Sequence, residues 1–208
     1  MMLAGVFAIF LPALVLPGPD FVAVVRASMT RGAGAGLWTT AGVAAGLGFY
    51  ATLSLAGLSA ILAEYQWLAL TIRVAGALYL GWLGLTLVFA RRGGAEAEFG
   101  GDAGAPRGHP LVFGFLVTLT NPKAIVLFAS VFATAVTEAT PAWLMALMVA
   151  LVVASALAWY SAVSLFLASA PVAARFRAAR RRIERAAGVC FVAISGKLLA
   201  DARSPIGM

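Results

Sequence analysis

The sequence predicts an all-α membrane protein, with six transmembrane helices arranged as a three-plus-three inverted repeat. Three observations predict it. Of 208 residues, 62% are apolar and only 11% charged, whereas a soluble domain has about 25% charged and 45–50% apolar residues. Such a chain lacks the polar side chains to coat a water-facing surface. Apolar stretches of about 20 residues or more recur between short polar breaks, as a hydrocarbon core of about 30 Å requires. The two halves also share motifs at an offset near half the chain length.

The first apolar stretch runs from about Met2 to Val25, interrupted by Pro12 and by Pro17-Gly18-Pro19. It lacks the basic n-region of a cleaved signal peptide and reads as a retained, broken helix. Arg26, Arg31 and the glycine-rich run from Gly32 to Gly36 follow it. The second span covers about Leu37–Ala63, and Glu64-Tyr65-Gln66 separates it from the third, about Trp67–Ala90. A polar loop from Arg91 to Pro110 holds His109, the single histidine. The fourth span covers about Leu111–Val136 and the fifth about Ala142–Ala170, joined through Glu138–Pro141. An arginine-rich loop, Arg175–Arg185, leads into a short sixth span, about Ala186–Ala200. The chain thus reads as one transmembrane domain: repeat one at about 1–90, a cytoplasmic loop at about 91–110 and repeat two at about 111–208.

Of the fifteen lysines and arginines, two fall in loop one, three in loop three and six in loop five, while loops two and four have none. Excess Lys and Arg marks the cytoplasmic side. Loops one, three and five therefore face the cytoplasm, and both termini face outward. The net charge of +7 is then a topology signal, so no nucleic-acid partner is expected.

Phe10-Leu11 followed by Pro17 recurs as Phe115-Leu116 followed by Pro122, a shift of 105; Arg73-Val74-Ala75-Gly76 with Gly84 recurs as Arg185-Ala186-Ala187-Gly188 with Gly196, a shift of 112. Three spans are odd in number, so the second unit must lie upside down. Inverted repeats with proline-interrupted spans at equivalent places are the sequence mark of a secondary transporter's binding site. Asn121-Pro122 fits a helix start, with Asn as N-cap and Pro first in the helix. Gly18-Pro19-Asp20 reads alike, with an acid in the first turn where the helix dipole favours it. Two half-helices then begin near mid-membrane from opposite sides, and their positive ends suit a carboxylate.

A charge at mid-bilayer costs about 2.5–3.5 kcal/mol on insertion scales, so it faces a cavity or a partner. Lys123, near the centre of its span, and Asp20, beside the first break, are the leading candidates. They are expected to flank a zwitterion, Lys123 at its carboxylate and Asp20 at its amine. Alternatively Asp20 carries a coupling proton, or it caps its half-helix and pairs with Lys123 or Arg26 as a structural ion pair. Arg73, Tyr160 and Lys197 are further candidates for lining a cavity, against snorkelling or packing roles. Gly42 and Gly46 form a GxxxG pattern that brings two helices together, within one chain or across a homodimer. No catalytic residues are expected: no histidine lies in a span to serve as a base. One histidine and one cysteine cannot build a metal or haem site, and no phosphate-cradling G-x-x-x-x-G-K-[ST] motif is present. No cofactor is expected.

Pro17-Gly18-Pro19-Asp20 with Gly32, Gly36, Gly42, Gly46 and Gly57 resembles the opening signature of the LysE/RhtB family of amino-acid exporters. Gly76-Ala77-Leu78-Tyr79-Leu80-Gly81 with Gly84 is similar to the family's third-span motif. Gly114-Phe115-Leu116 with Asn121-Pro122-Lys123 is similar to its fourth-span motif, and Arg185–Gly188 with Gly196-Lys197-Leu198 to its ending. The resemblance implies a multi-pass protein of the bacterial cytoplasmic membrane that exports amino acids or close relatives, driven by an ion gradient. It carries a binding role onto Pro17, Gly18, Pro19, Asp20, Asn121, Pro122 and Lys123. Where many members have Pro-Gln-Phe after the Asn-Pro-Lys motif, this chain has Val131-Phe132-Ala133-Thr134-Ala135. The expected function is export of a small zwitterionic amino acid, by proton antiport. The alternatives are another small solute or a metal ion, or a non-transporting membrane scaffold.

Overall fold

A computed structural model describes residues 2–64, 66–89, 108–121, 123–125, 127–128, 140–166 and 170–203. Most of loop three, the end of the fourth span with its Val131–Ala135 segment, Pro122 and the side chain of Arg73 lie outside the described residues. Among these residues every regular element is helical: α1 Met2–Val15, α2 Pro19–Arg31, α3 Ala33–Glu64, α4 Gln66–Phe89, α5 Pro110–Leu119, α6 Ala142–Phe166 and α7 Ala170–Arg203.

The helix boundaries follow from local chemistry. Pro12 sits inside α1, where its missing N–H leaves the carbonyl of Ala8 without its usual helical donor. The Cys190 thiol of α7 approaches that oxygen at 3.9 Å. The chain then breaks at Leu16–Gly18 and restarts with Pro19 as the first residue of α2; the two helices are bent by 45°. The sequence reading closes this span near Val25, but α2 continues through Arg26 to Arg31. It stops at Gly32, whose φ of 84° a residue with a Cβ adopts only with strain. Pro110 opens α5 behind His109, whose Nδ1 accepts the Leu111 N–H at 3.3 Å.

Loop five is corrected more substantially. The arginine-rich segment expected as a loop is helical and continuous with the sixth span, giving α7 its 34 residues. Alanine and arginine are strong helix formers, and no glycine or proline interrupts the chain between Val172 and Ala187. Hydropathy locates where a helix leaves the apolar layer, not where it ends.

Glycines set the helix crossings. A Cβ on Gly42 would run into the backbone carbonyl of Leu111, and one on Gly114 into that of Thr39. The GxxxG motif therefore seats α3 against α5 within the chain. These two helices run parallel, since Trp38 meets His109 at 5.7 Å and Tyr50 further along bonds to Leu119 O at 2.7 Å. Helix α4 runs antiparallel to α7: Gly84 abuts the carbonyl of Gly188, and Ser195 donates to Ala77 O at 2.7 Å. Helices α3 and α6 are also antiparallel, with Ser164 beside Ala33 and Gly48 beside Val153.

Among the described residues, Ala33–Gly57 and Ala142–Phe166 are each long and apolar enough to cross a membrane, and the bent pair α1–α2 makes a third span if taken together. Val74–Phe89 and Pro110–Leu119 are shorter apolar helices. Outward-facing Trp38, Phe49, Trp82, Trp143 and Phe166 are each more than half exposed or close to it, as lipid-facing side chains are.

Candidate functional site

The break between α1 and α2 and the break after α5 meet inside the helix bundle. Asp20, in the first turn of α2, is 6% exposed and reaches across to the second break. Thr118 Oγ1 donates to its Oδ1 at 3.0 Å, and Asn121 Nδ2 donates to its Oδ2 at 3.0 Å. The other end of the Asn121 amide accepts the Lys123 N–H at 3.1 Å. This is the N-cap geometry expected for the helix that restarts there. The two partners also orient the amide, because a carboxylate only accepts and a backbone N–H only donates. Asn121 thus holds the restarted helix and the acid of the other break with one side chain.

Lys123 answers the opposite need. A helix C-terminus leaves carbonyls without donors and carries partial negative charge. Lys123 Nζ donates to Ala13 O at 2.8 Å and Leu16 O at 3.3 Å, at the C-terminal end of α1. Each charge therefore sits on the helix end of opposite polarity, Asp20 on the start of α2 and Lys123 on the finish of α1. Gly18 lies between them. Its φ of −149° makes no demand for glycine, and a Cβ there would lie 3.5 Å from Lys123 Nζ, an ordinary contact.

A cavity of about 20 Å³ opens beside these groups, room for one water molecule. Its polar side is formed by Asp20, Asn121, Lys123 and Tyr160, and its apolar side includes Phe10, Leu14, Leu47 and Leu127. Phe10 contacts Phe128 with ring centroids 5.9 Å apart, and Tyr50 stacks on Phe128 at 6.3 Å. The structure therefore brings together Asp20, Asn121, Lys123, Gly18 and Tyr160. Lys197 faces outward from α7, away from the cavity. Pro17 is half-buried at the break, and Pro19, first in α2, is exposed.

The family model described as LysE type translocator matches residues 11–202, a stretch containing both breaks and every residue of the cavity's polar side. The chain belongs to this family. Its similar relatives include the threonine efflux protein of Escherichia coli (strain K12), 30% identical over 92% of this chain and 94% of the relative. The threonine efflux protein of Salmonella typhi is 29% identical over the same shares. The leucine efflux protein of Klebsiella pneumoniae is 31% identical over 57% of this chain and 56% of its own length. No solved structure matches.

Two residues of this candidate site escape a reading based on charge and proline. Thr118 is fully buried and fits against the bare backbone of Gly46, where a Cβ would lie 2.7 Å from its own Cβ. Tyr50 donates to Leu119 O, a carbonyl at the end of α5. The usable signal was proximity: Thr118, in the last turn of α5, stands three residues before the Asn121 that caps the restarted helix.

Proposed function

We propose that this translocator exports a small neutral amino acid such as threonine from the cytoplasm, across the bacterial inner membrane, through the site built around Asp20. The reading rests on one observation above all: a buried carboxylate and an ammonium occupy opposite helix ends at the junction of two broken helices. A zwitterion needs both signs of charge. Asp20 can take its amine, while Lys123 and the restarted helix's N-terminus can take its carboxylate. The apolar wall of Phe10, Leu14, Leu47 and Leu127 suits a short side chain. The names of the relatives support an amino-acid cargo.

The six-span inverted repeat and outward-facing termini belong to the same reading. Their support is the antiparallel pairing of α4 with α7 and of α3 with α6, the spans that such a repeat makes equivalent. Coupling to protons is the finer part, and Thr118 offers the chemistry for it. Its one hydroxyl hydrogen faces two acceptors, Asp20 Oδ1 at 3.0 Å and Gly114 O at 3.2 Å. When Asp20 is ionised, Thr118 donates to it. When Asp20 is protonated, its O–H can donate to Thr118, which turns its own hydrogen to Gly114. Both states are satisfied without moving a helix.

The test is amino-acid excretion from cells loaded with mixed dipeptides. Cells with the wild-type protein should release a few amino acids selectively, threonine among them, and the Asp20→Asn and Lys123→Ala variants should lose that release. Equal release from all three, with each protein present in the membrane, would remove both the site and the function from consideration.

A further inference from the structure

Helices α2, α3 and α6 meet along a seam that runs from the Asp20 cavity to the end of the bundle carrying Arg31. Leu47 of α3 and Tyr160 of α6 line the cavity with Asp20 of α2. One turn along α6, and two along α2, come Ser164 and Ser28, with Gly36 of α3 between them. The Ser28 hydroxyl lies 2.8 Å from Val24 O and 2.9 Å from Ser164 Oγ, and Ser164 donates to Ala33 O at 3.2 Å. The three residues are in such close contact that a Cβ on Gly36 would overlap both serine hydroxyls. Between this layer and the cavity, on the row of α3 that holds Gly36 and Leu47, stands Thr40. It is 1% exposed, and its Oγ1 is a buried polar atom with no hydrogen-bond partner.

A buried hydroxyl without a partner is unfavourable and calls for an explanation. Here it has neighbours that can change. If the serine layer opened, water or a polar solute could reach Thr40, and its hydroxyl would be satisfied. Opening demands little of the serines. Ser28 keeps the Val24 carbonyl on its own helix as an acceptor, so separating α2 from α6 strands no donor. The cavity itself has room for only one water, so a solute of amino-acid size requires some such rearrangement.

We propose that the seam lined by Ser28, Thr40 and Ser164 is the cytoplasmic access route to Asp20, and that the Ser28–Ser164 contact over Gly36 is its closed gate. This rests on the transport reading above and adds the path and the moving seam. Thr40 is a solute-contacting residue only when the gate is open.

The experiment uses the full-length protein in membrane vesicles on a Cys190→Ser background. In a Ser28→Cys/Ser164→Cys variant the two thiols lie within disulfide reach if the seam is built as described. Oxidation should cross-link them and reduce radiolabelled threonine exchange at least tenfold, and reductant should restore it. In a Thr40→Cys variant a membrane-impermeant thiol reagent should react at least tenfold faster from the cytoplasmic face. Adding the 28–164 cross-link should abolish that labelling. The proposal is overturned if the cross-link fails to form, if cross-linked protein exchanges threonine at the reduced protein's rate, or if Thr40→Cys is closed to reagent from the cytoplasm. The labelling does not depend on cargo, so a wild-type protein that moves no amino acid would sink the functional reading while the seam is still judged by its accessibility.

Discussion

At the scale of single residues the site is a matter of which donors face Asp20. The two charges were legible in the sequence because a carboxylate and an ammonium stand out in an apolar span, and each costs too much there to be idle. Thr118 was not legible, since a threonine in a helix usually bonds back to its own turn, and nothing in its type says that it faces an acid. Thr118→Val keeps the shape and removes the hydroxyl. A hydrogen bond to a charged group is worth about 1.5–3 kcal/mol, so threonine export should fall about ten- to hundredfold, while Thr118→Ser, which keeps the donor, should retain most activity. Export measured per copy of membrane-inserted protein decides it. Wild-type rates in Thr118→Val would show that Asp20 does not depend on this hydroxyl. At Gly18 the backbone is extended and the contact with Lys123 leaves room for a methyl group, so its place in the motif is not dictated by conformation.

Among the elements, helix starts were legible to within a residue at Gln66, Pro110 and Ala142, but around Gly32 the sequence reading closed one span at Val25, short of Arg31, and opened the next at Leu37, beyond Ala33. The arginine-rich stretch before Ala186 was not legible, because charge there reports an aqueous surroundings and says nothing against a helix. The GxxxG motif was read correctly as a close approach, but the partner could not be named from sequence: it is α5, which supplies the backbone of Leu111 and, at Gly114, a matching glycine. This predicts a contrast between two glycines of α3. Gly42→Ala places a methyl group against a backbone carbonyl, which cannot swing aside as a side chain would, and should destabilise by about 1–3 kcal/mol, the usual range for overpacking. Gly57→Ala meets nothing within 4 Å and should be neutral or stabilise by about 0.4–1 kcal/mol through the unfolded chain. Thermal unfolding in detergent distinguishes them; equal midpoints would mean that α3 and α5 are not in the contact described.

For the molecule as a whole, positive charge and packing point to the same end. Arg31 donates to Gly108 O at 2.9 Å and Ser164 to Ala33 O, which draws the ends of α2, α3, α5 and α6 together where the sequence places its cytoplasmic loops. Gly108→Cys should therefore react with an impermeant thiol reagent in inside-out vesicles and Pro141→Cys in intact cells, with Cys190 replaced in both; the reverse pattern would invert the topology. Uphill export also requires an energy source, and in the function proposed above the coupling acts at Asp20. Asp20 is the acid of the site, and its neighbours Thr118 and Asn121 are neutral, so a proton taken or released there changes the charge that a zwitterion's amine meets. If substrate and proton compete for Asp20, each excludes the other and their movements are opposed, which is antiport. Two consequences separate this from passive release. Collapsing the pH gradient with a protonophore should stop export against a threonine gradient while leaving threonine–threonine exchange intact. Asp20→Asn, which cannot carry a proton, should lose the uphill component entirely and should not regain it at any external pH. Uphill export that survives the protonophore, measured in cells whose gradient is confirmed to be gone, would assign the driving force to something other than protons.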